Sequence, residues 1–252
     1  MRVFLDQWIS GSKMVKMNVA IIPAKEHSSE VPNKNSRIFH GYSLVQWSIL
    51  SANIDRIDKI FVSTDSTKII QQSQVMNLDK VEILSRPSGL TLSQVQVDEV
   101  VLFSIRQIEA IYGENSVKTV VVLQPTSLFR RAEHVAGAYR HYKSSMGNPL
   151  FSGYYSKNYH YYVDFSIADP IKHNPLKRSG RQELRLNQLF VENGAIYIAS
   201  AKYITENKTF RAKKMSAYEM SALDSVQIDS ESDWFLAEQF MLYGKDKNED
   251  NS

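Results

Sequence analysis

The sequence predicts an α/β fold, a Rossmann-like and mostly parallel sheet flanked by helices. Three observations predict it. Several short runs are apolar almost throughout, as strands buried on both faces of a parallel sheet require. These runs alternate with segments whose apolar residues recur at helical spacing. Polar loops follow directly on the strands, where parallel α/β sheets hold their ligands.

The first strand is read at 18–23 (NVAIIP), followed by a polar loop over 24–35. A helix over 43–54 gathers Leu44, Val45, Trp47, Ile49 and Leu50 on one broad apolar face. A strand at 59–63, a helix at 66–74, a strand at 81–84 and a helix at 96–112 continue the alternation. Residues 119–123 (TVVVL) form the most apolar strand. From 147 to 189 the pattern weakens, and the Tyr-rich stretch 153–163 reads as an insertion carrying extended structure. Tyrosine clusters of this kind serve packing or subunit contact more often than ligand stacking. The sheet resumes at 195–198, a last amphipathic helix spans 232–242, and the charged residues 245–252 read as a disordered tail. Met14 and Met17 both precede the first strand, so 1–17 reads as an extension outside the fold. No repeat and no Gly/Ser linker divides the chain, which predicts one domain over 18–244 with an excursion at 147–189.

Composition narrows the function. The 252 residues, 43% hydrophobic and 23% charged, exclude a disordered or collagen-like chain. Lys+Arg 30 against Asp+Glu 27 leaves a net charge of +3, too small for a nucleic-acid footprint. The absence of cysteine excludes disulfides, thiolate metal ligands and a Cys nucleophile. No apolar run reaches the roughly 18 residues of a membrane span. The expectation is a cytoplasmic protein with neither nucleic acid nor membrane as partner.

Three segments carry residues suited to chemistry. The loop after the first strand contains Lys25 and Lys34, which can neutralise anionic oxygens, with Ser28 and Asn35 beside them. It has no glycine, so it is neither a Walker A nor a GxGxxG loop; read alone, it is also a solvated surface loop balanced by Glu26 and Glu30. Gln124, Thr126 and Ser127 directly follow the most apolar strand and would project into the crevice at its carboxyl edge, or else form a turn and a helix cap. Arg178 and Arg181 supply guanidinium forks suited to a carboxylate, although such loops are usually plain surface.

Taken in order, the segments resemble the cytidylyltransferases that activate nine-carbon acidic sugars, the CMP-sialic acid synthetases with their legionaminic and pseudaminic acid relatives. The matching residues are Ile22-Pro23-Ala24 with Ser28, Pro32, Lys34 and Asn35; Val62 to Asp65; Arg86-Pro87; Leu123 to Ser127 with Arg130; Arg181 to Leu184; Asn193 to Ile198; and Ile228-Asp229 through Asp233-Trp234 to Glu238. The resemblance implies a nucleotide-diphospho-sugar transferase type of fold and attack of the sugar's anomeric hydroxyl on the α-phosphate of CTP, for surface glycan biosynthesis. It implies Lys34, Gln124 and Asp229 as catalytic residues, and Lys25, Ser28, Asn35 and Arg86 as nucleotide-binding. Gln124, Arg181, Gln182, Asn193 and Gly194 would face the acidic 2-keto sugar. Mg²⁺, or Mn²⁺ in its place, would sit at Asp229 with Gln227 as a weak ligand, and the Tyr-rich excursion would be the dimerisation arm of a homodimer.

Three departures set this chain apart from the family pattern. Lys25 replaces an arginine while Ser29 replaces a lysine, Gln227 replaces an aspartate, and the link from Arg181 to Asn193 lacks a proline. Other readings on the same fold are a homologue that binds nucleotide without catalysis and an enzyme for an eight-carbon ulosonic acid. Asp229 also suits a capping role at the last helix.

Overall fold

The computed structural model describes residues 16–26, 31–92, 94–156, 158, 161–164, 167–170 and 189–249, with the backbone alone for 161–164, 167–170 and 243–249. Seven strands form the main sheet: β1 (Met17–Pro23), β4 (Lys59–Thr64), β5 (Val81–Ser85), β6 (Val117–Val122), β7 (Leu150–Tyr155), β10 (Phe190–Ser200) and β11 (Ser216–Glu219). Their order is β11-β7-β10-β6-β1-β4-β5. β1 pairs parallel with both β4 and β6, β4 with β5, and β11 with β7, whereas β10 runs antiparallel to β6 and β7. The chain starts at the centre of the sheet and winds first to one side, then to the other. A crevice therefore opens between the carboxyl ends of β1 and β6.

Alternation along the central strands sends side chains to two cores. Ala20, Ile22, Val121 and Leu123 pack with Val45 and Ile49 of α1 (Leu44–Ala52) and with Val135 and Ala138 of α4 (Ala132–Ser144). Val19, Ile21, Val120 and Val122 pack with Val101, Ile105 and Ile108 of α3 (Val97–Tyr112) and with Ile204 of α5 (Ala201–Asn207). This two-sided burial is the reason the strands read as unbroken apolar runs. Helix α2 (Thr67–Val75) joins β4 to β5 and starts at Ser66, whose hydroxyl accepts from the Ile69 amide. α1 starts at a capping box in which Ser43 Oγ accepts from Gln46 N while Gln46 Oε1 accepts from Ser43 N.

A third, smaller core pins the last helix, α6 (Glu231–Glu249), beside the crevice. Trp234 and Ala237 pack against Phe39, Leu44, Leu128 and Ile228. Phe39 belongs to a short hairpin, β2 (Ile38–Phe39) and β3 (Tyr42–Ser43), turned by His40 and Gly41, both at positive φ (44° and 90°). Arg37 stacks over the Trp234 ring at 3.9 Å and forms a forked pair with Glu231 at 2.7 and 2.8 Å.

Several expectations are corrected here. Met17 belongs to β1, since it is buried and pairs with Val117. The excursion over 147–189 begins later than its composition suggests, because Leu150–Tyr155 is an interior strand of the main sheet. β8 (Tyr161–Asp164) and β9 (Ile167–Pro170) pair antiparallel in a sheet of their own. α6 continues to Glu249 through most of the segment expected to be a disordered tail. The strand expected at 195–198 is eleven residues long.

Between Glu192 and Tyr197 of β10, the facing residue on β7 advances only from Gly153 to Phe151, so β10 bulges there. Gly153 lies against this bulge, and a Cβ at that position would sit 2.2 Å from the Val191 carbonyl oxygen and 2.5 Å from Phe190 Cε1. We predict that Gly153→Ala costs about 1–3 kcal/mol by overpacking, read as a fall in the denaturation midpoint with an unchanged slope. An unchanged midpoint would show that the β7–β10 ladder yields freely.

Candidate functional site

Loops from the carboxyl ends of β1, β5 and β6 and the segment before α6 converge with the beginning of β10 on one cleft of about 590 Å³. Lys25, Lys34, Asn35, Arg86, Gln124, Thr126, Asn193, Gly194, Gln227 and Asp229 line it. The structure thus brings together most of the side chains singled out in the sequence. Ser28, Arg181 and Gln182 lie outside the described residues.

The loop after β1 is held from both ends. The Ala24 amide donates to the Ser63 carbonyl and the Glu26 amide to Asp65 Oδ1, both on or just after β4. Asn35 Nδ2 donates to the Lys25 carbonyl at 2.9 Å, so Asn35 acts through the loop's main chain. Asn33, at φ 54°, starts a single 3-10 turn over Lys34–Ser36 that directs Lys34 into the cleft. Lys34 is 8% exposed, and its Nζ lies 3.0 Å from Asp229 Oδ1.

Arg86 follows β5. Its Nη2 donates to the Ser63 carbonyl at 2.7 Å, and it is 6% exposed. Burial pulls its pKa down to about 10, a shift opposed by the charge of Asp65. The guanidinium remains charged at neutral pH in a position from which it reaches the cleft.

The loop after β6 is fixed by Arg130. This guanidinium donates from Nη1 to the carbonyls of Gln124 and Ala195 at 2.8 Å each, from Nη2 to Ser48 Oγ at 2.7 Å and from Nε to Ser51 Oγ at 3.0 Å. No carboxylate among the described residues pairs with it, and burial lowers its pKa to about 9. Gln124 consequently faces Gly194: a Cβ on Gly194, at φ +69°, would lie 3.7 Å from Gln124 Nε2 and 3.8 Å from Gln227 Oε1.

Two expected roles change. Asn193 borders the cleft, yet its polar atoms are committed to the wall. Oδ1 accepts from Ser152 Oγ (2.7 Å) and from the Ala195 amide (3.0 Å), and Nδ2 donates to Ser225 Oγ (2.8 Å). It shapes the β10 bulge in place of the sugar contact expected of it. Gln227 Oε1 accepts from Thr126 Oγ1 (2.8 Å) and its Nε2 donates to Ser127 Oγ (2.8 Å), so both ends of the amide are engaged and Gln227 orders the loop after β6 in place of the expected metal contact.

Mg²⁺ on a nucleotide is held by one or two carboxylates together with phosphate oxygens and water. Asp229 fits that requirement, with a side chain 62% exposed at the cleft. Among the described residues no group of three or more His, Asp or Glu is placed to hold a metal without a ligand's help.

The sequence reading overlooked the other wall. Leu90, Leu92, Val95, Val97 and Val100, from the β5–α3 connection and the start of α3, give the cleft an apolar side. Glu192 and Tyr197 of β10 also line it, and Tyr197 Oη donates to Glu192 Oε1. Burial, reinforced by Glu192, pushes the Tyr197 phenol well above its ordinary value. Arg211 packs over the rings of Phe210 and Tyr197 and pairs with Asp98. The available cue was position alone, since Glu192 directly precedes Asn193-Gly194.

A mostly parallel, doubly wound sheet whose switch-point cleft is rich in fixed cations defines a nucleotide-binding α/β protein. A family model described as Cytidylyltransferase matches residues 19–244, and the chain belongs to that family. It is 28% identical over 231 residues to a CMP-N,N'-diacetyllegionaminic acid synthase of Legionella pneumophila, covering 88% of this chain and 95% of the relative. It is 29% identical over 239 residues to N-acylneuraminate cytidylyltransferase A of Danio rerio, covering 91% of this chain but 53% of the relative. The chain thus spans nearly all of the first relative and about half of the second. In structure it resembles a CMP:2-keto-3-deoxy-manno-octonic acid synthetase complexed with CTP, at a TM-score of 0.66 and 13% identity over 91% of this chain and 100% of that one. This likeness shows the fold. No helix among the described residues is long and apolar enough to cross a membrane.

The position of Asp229 depends on Asp233, whose Oδ2 accepts from the Asp229 and Ser230 amides (3.0 and 2.7 Å) and from Ser230 Oγ (2.8 Å). Burial alone would raise the Asp233 pKa, but these bonds and the charge of Lys34 hold it below the ordinary 3.8. A depressed carboxylate contributes stability that is present above its unfolded pKa and lost as pH falls through the folded one. We predict that Asp233→Ala costs about 1 kcal/mol at pH 7. Denaturation curves should show the gap to wild type closing as pH drops below 3.8; a gap independent of pH would contradict this account.

Proposed function

We propose that this chain transfers the cytidylyl group of CTP to the anomeric hydroxyl of a nine-carbon acidic sugar of the sialic type, giving a CMP-sugar and pyrophosphate. The observation that carries the reading is the convergence of Lys25, Lys34 and Arg86 on one cleft, with Asp229 beside Lys34 and Gln124 facing Gly194. The CTP held by the structural relative supports the nucleotide, and the names of the sequence relatives support the sugar.

In this reaction the sugar oxygen forms a bond to the α-phosphorus. The bond from that phosphorus to the bridging oxygen breaks, pyrophosphate leaves with the electron pair, and the hydroxyl proton is released to water. Little covalent work falls to the protein, so catalysis rests on position and charge. Lys34 is held nearly buried before CTP arrives, and its ammonium meets the phosphates without reorganising. Arg86, anchored through Nη2 at Ser63, keeps donors free for the nucleotide. Gln124 orients the sugar from a main chain that Arg130 fixes. Bound Mg²⁺ supplies neutralisation of the triphosphate and polarisation of the α-phosphate, with Asp229 as its protein ligand. Ser28 at the phosphates, Arg181 and Gln182 at the sugar, and assembly as a homodimer belong to the same proposal.

The test is pyrophosphate release with CTP, Mg²⁺ and a panel of eight- and nine-carbon 2-keto acids. We predict turnover with a nine-carbon acid and a loss of roughly 10²- to 10³-fold in kcat for Lys34→Ala, the cost of removing one preorganised donor from developing charge. Gln124→Ala should raise KM for the sugar more than KM for CTP. Turnover confined to eight-carbon acids would reassign the substrate, and none with any acid would refute the proposal.

A further inference from the structure

The cleft carries charge of both signs, and a triphosphate with its metal leaves the acidic group on the β10 wall unused. On the β10 wall, Glu192 is solvent-exposed at the cleft, and among the described residues its Oε2 has no hydrogen-bond partner. The Tyr197 hydroxyl donates to Glu192 Oε1 and accepts from Arg211, so neither group hands Glu192 Oε2 a proton. Among the described residues Arg211 is the cation that acts on this pair, but its guanidinium is also engaged by Asp98 Oδ2. Two carboxylates, Asp98 and Glu192, therefore answer to one guanidinium. Among the described residues, this wall therefore carries more negative than positive charge.

A sugar that fills the cleft strips water from Glu192. Leaving that carboxylate unpaired is costly, and a hydroxyl or an acetamido N–H returns a single neutral donor. An ammonium returns three donors, and an amidinium returns a planar fork that matches both carboxylate oxygens. Resting on the cytidylyltransferase reading, we propose that Glu192 determines specificity by selecting an acidic sugar that bears a protonated nitrogen, amino or amidino, where its side chain meets the β10 wall. Lys25, Lys34 and Arg86 then serve the triphosphate, and Glu192 serves the far end of the sugar.

The experiment compares pairs of nine-carbon 2-keto acids that differ only in carrying a free amino or an acetamido group at one carbon, each nitrogen-bearing carbon being tried in turn. Pyrophosphate release by the full chain is measured with CTP and Mg²⁺, for wild type and for Glu192→Gln, which keeps the shape and an acceptor for Tyr197 but removes the charge. Thermal melting establishes that the variant is folded. At one position wild type should favour the amino acid by roughly 10- to 100-fold in kcat/KM, the range of a charge-assisted hydrogen bond. Glu192→Gln should abolish that preference through the sugar's KM and not through that for CTP. Equal or better use of the acetamido member at every position, or a preference that survives in Glu192→Gln, overturns the inference and leaves the cytidylyltransferase reading standing. No turnover of any acid while CTP still raises the melting temperature overturns that reading, and the inference falls with it.

Discussion

A single buried guanidinium fixes the geometry on which the cleft depends. Arg130 joins Ser48 and Ser51 of α1, the Gln124 carbonyl after β6 and the Ala195 carbonyl within β10. Its five N–H groups lie in one plane, and four acceptors within 2.7–3.0 Å engage them. Burying a charge without a counter-ion is expensive, which its depressed pKa reflects, and only acceptors converging from three elements make it tolerable. Gln124 and Gly194 face each other across the cleft because their neighbours share this group.

The second constraint is the reversed direction of β10. A parallel strand beside β6 would bring its carboxyl end to the cleft edge, whereas antiparallel β10 brings its beginning. The residues preceding Tyr197 thus stand beside the loop after β6, and the bulge stapled by Asn193 and Ser152 turns Gly194 inward. Glu192 reaches the cleft through the same reversal.

Before ligand arrives, the cations of the cleft are balanced by carboxylates at its rim. Lys34 rests on Asp229, and Arg86 feels Asp65. In the proposed reaction a triphosphate would supply the negative charge that these carboxylates otherwise provide, and would release Asp229 from its ion pair. On that proposal the Lys34–Asp229 contact would be an exchange point, with the bond from the Asp229 amide to Asp233 holding the backbone while the side chain changed partner.

Local chemistry in the sequence determined the central strands and most of the cleft's cations and polar groups. Apolar runs such as 119–123 are legible because burial on both faces leaves no polar positions, Lys25, Lys34 and Gln124 are legible because they sit in loops that follow strands, and Arg86 and Asp229 are legible through the resemblance. Only the tertiary structure decided the direction of β10, the place of Leu150–Tyr155 in the sheet, the commitments of Asn193 and Gln227 and the place of Glu192 at the cleft. The physical reason is sequence separation. Asn193 is saturated by Ser152 and Ser225, 41 and 32 residues away, and Gln227 by Thr126 and Ser127, 101 and 100 residues away. Which polar group is spent on the protein and which is left for a ligand depends on partners that no local pattern encodes.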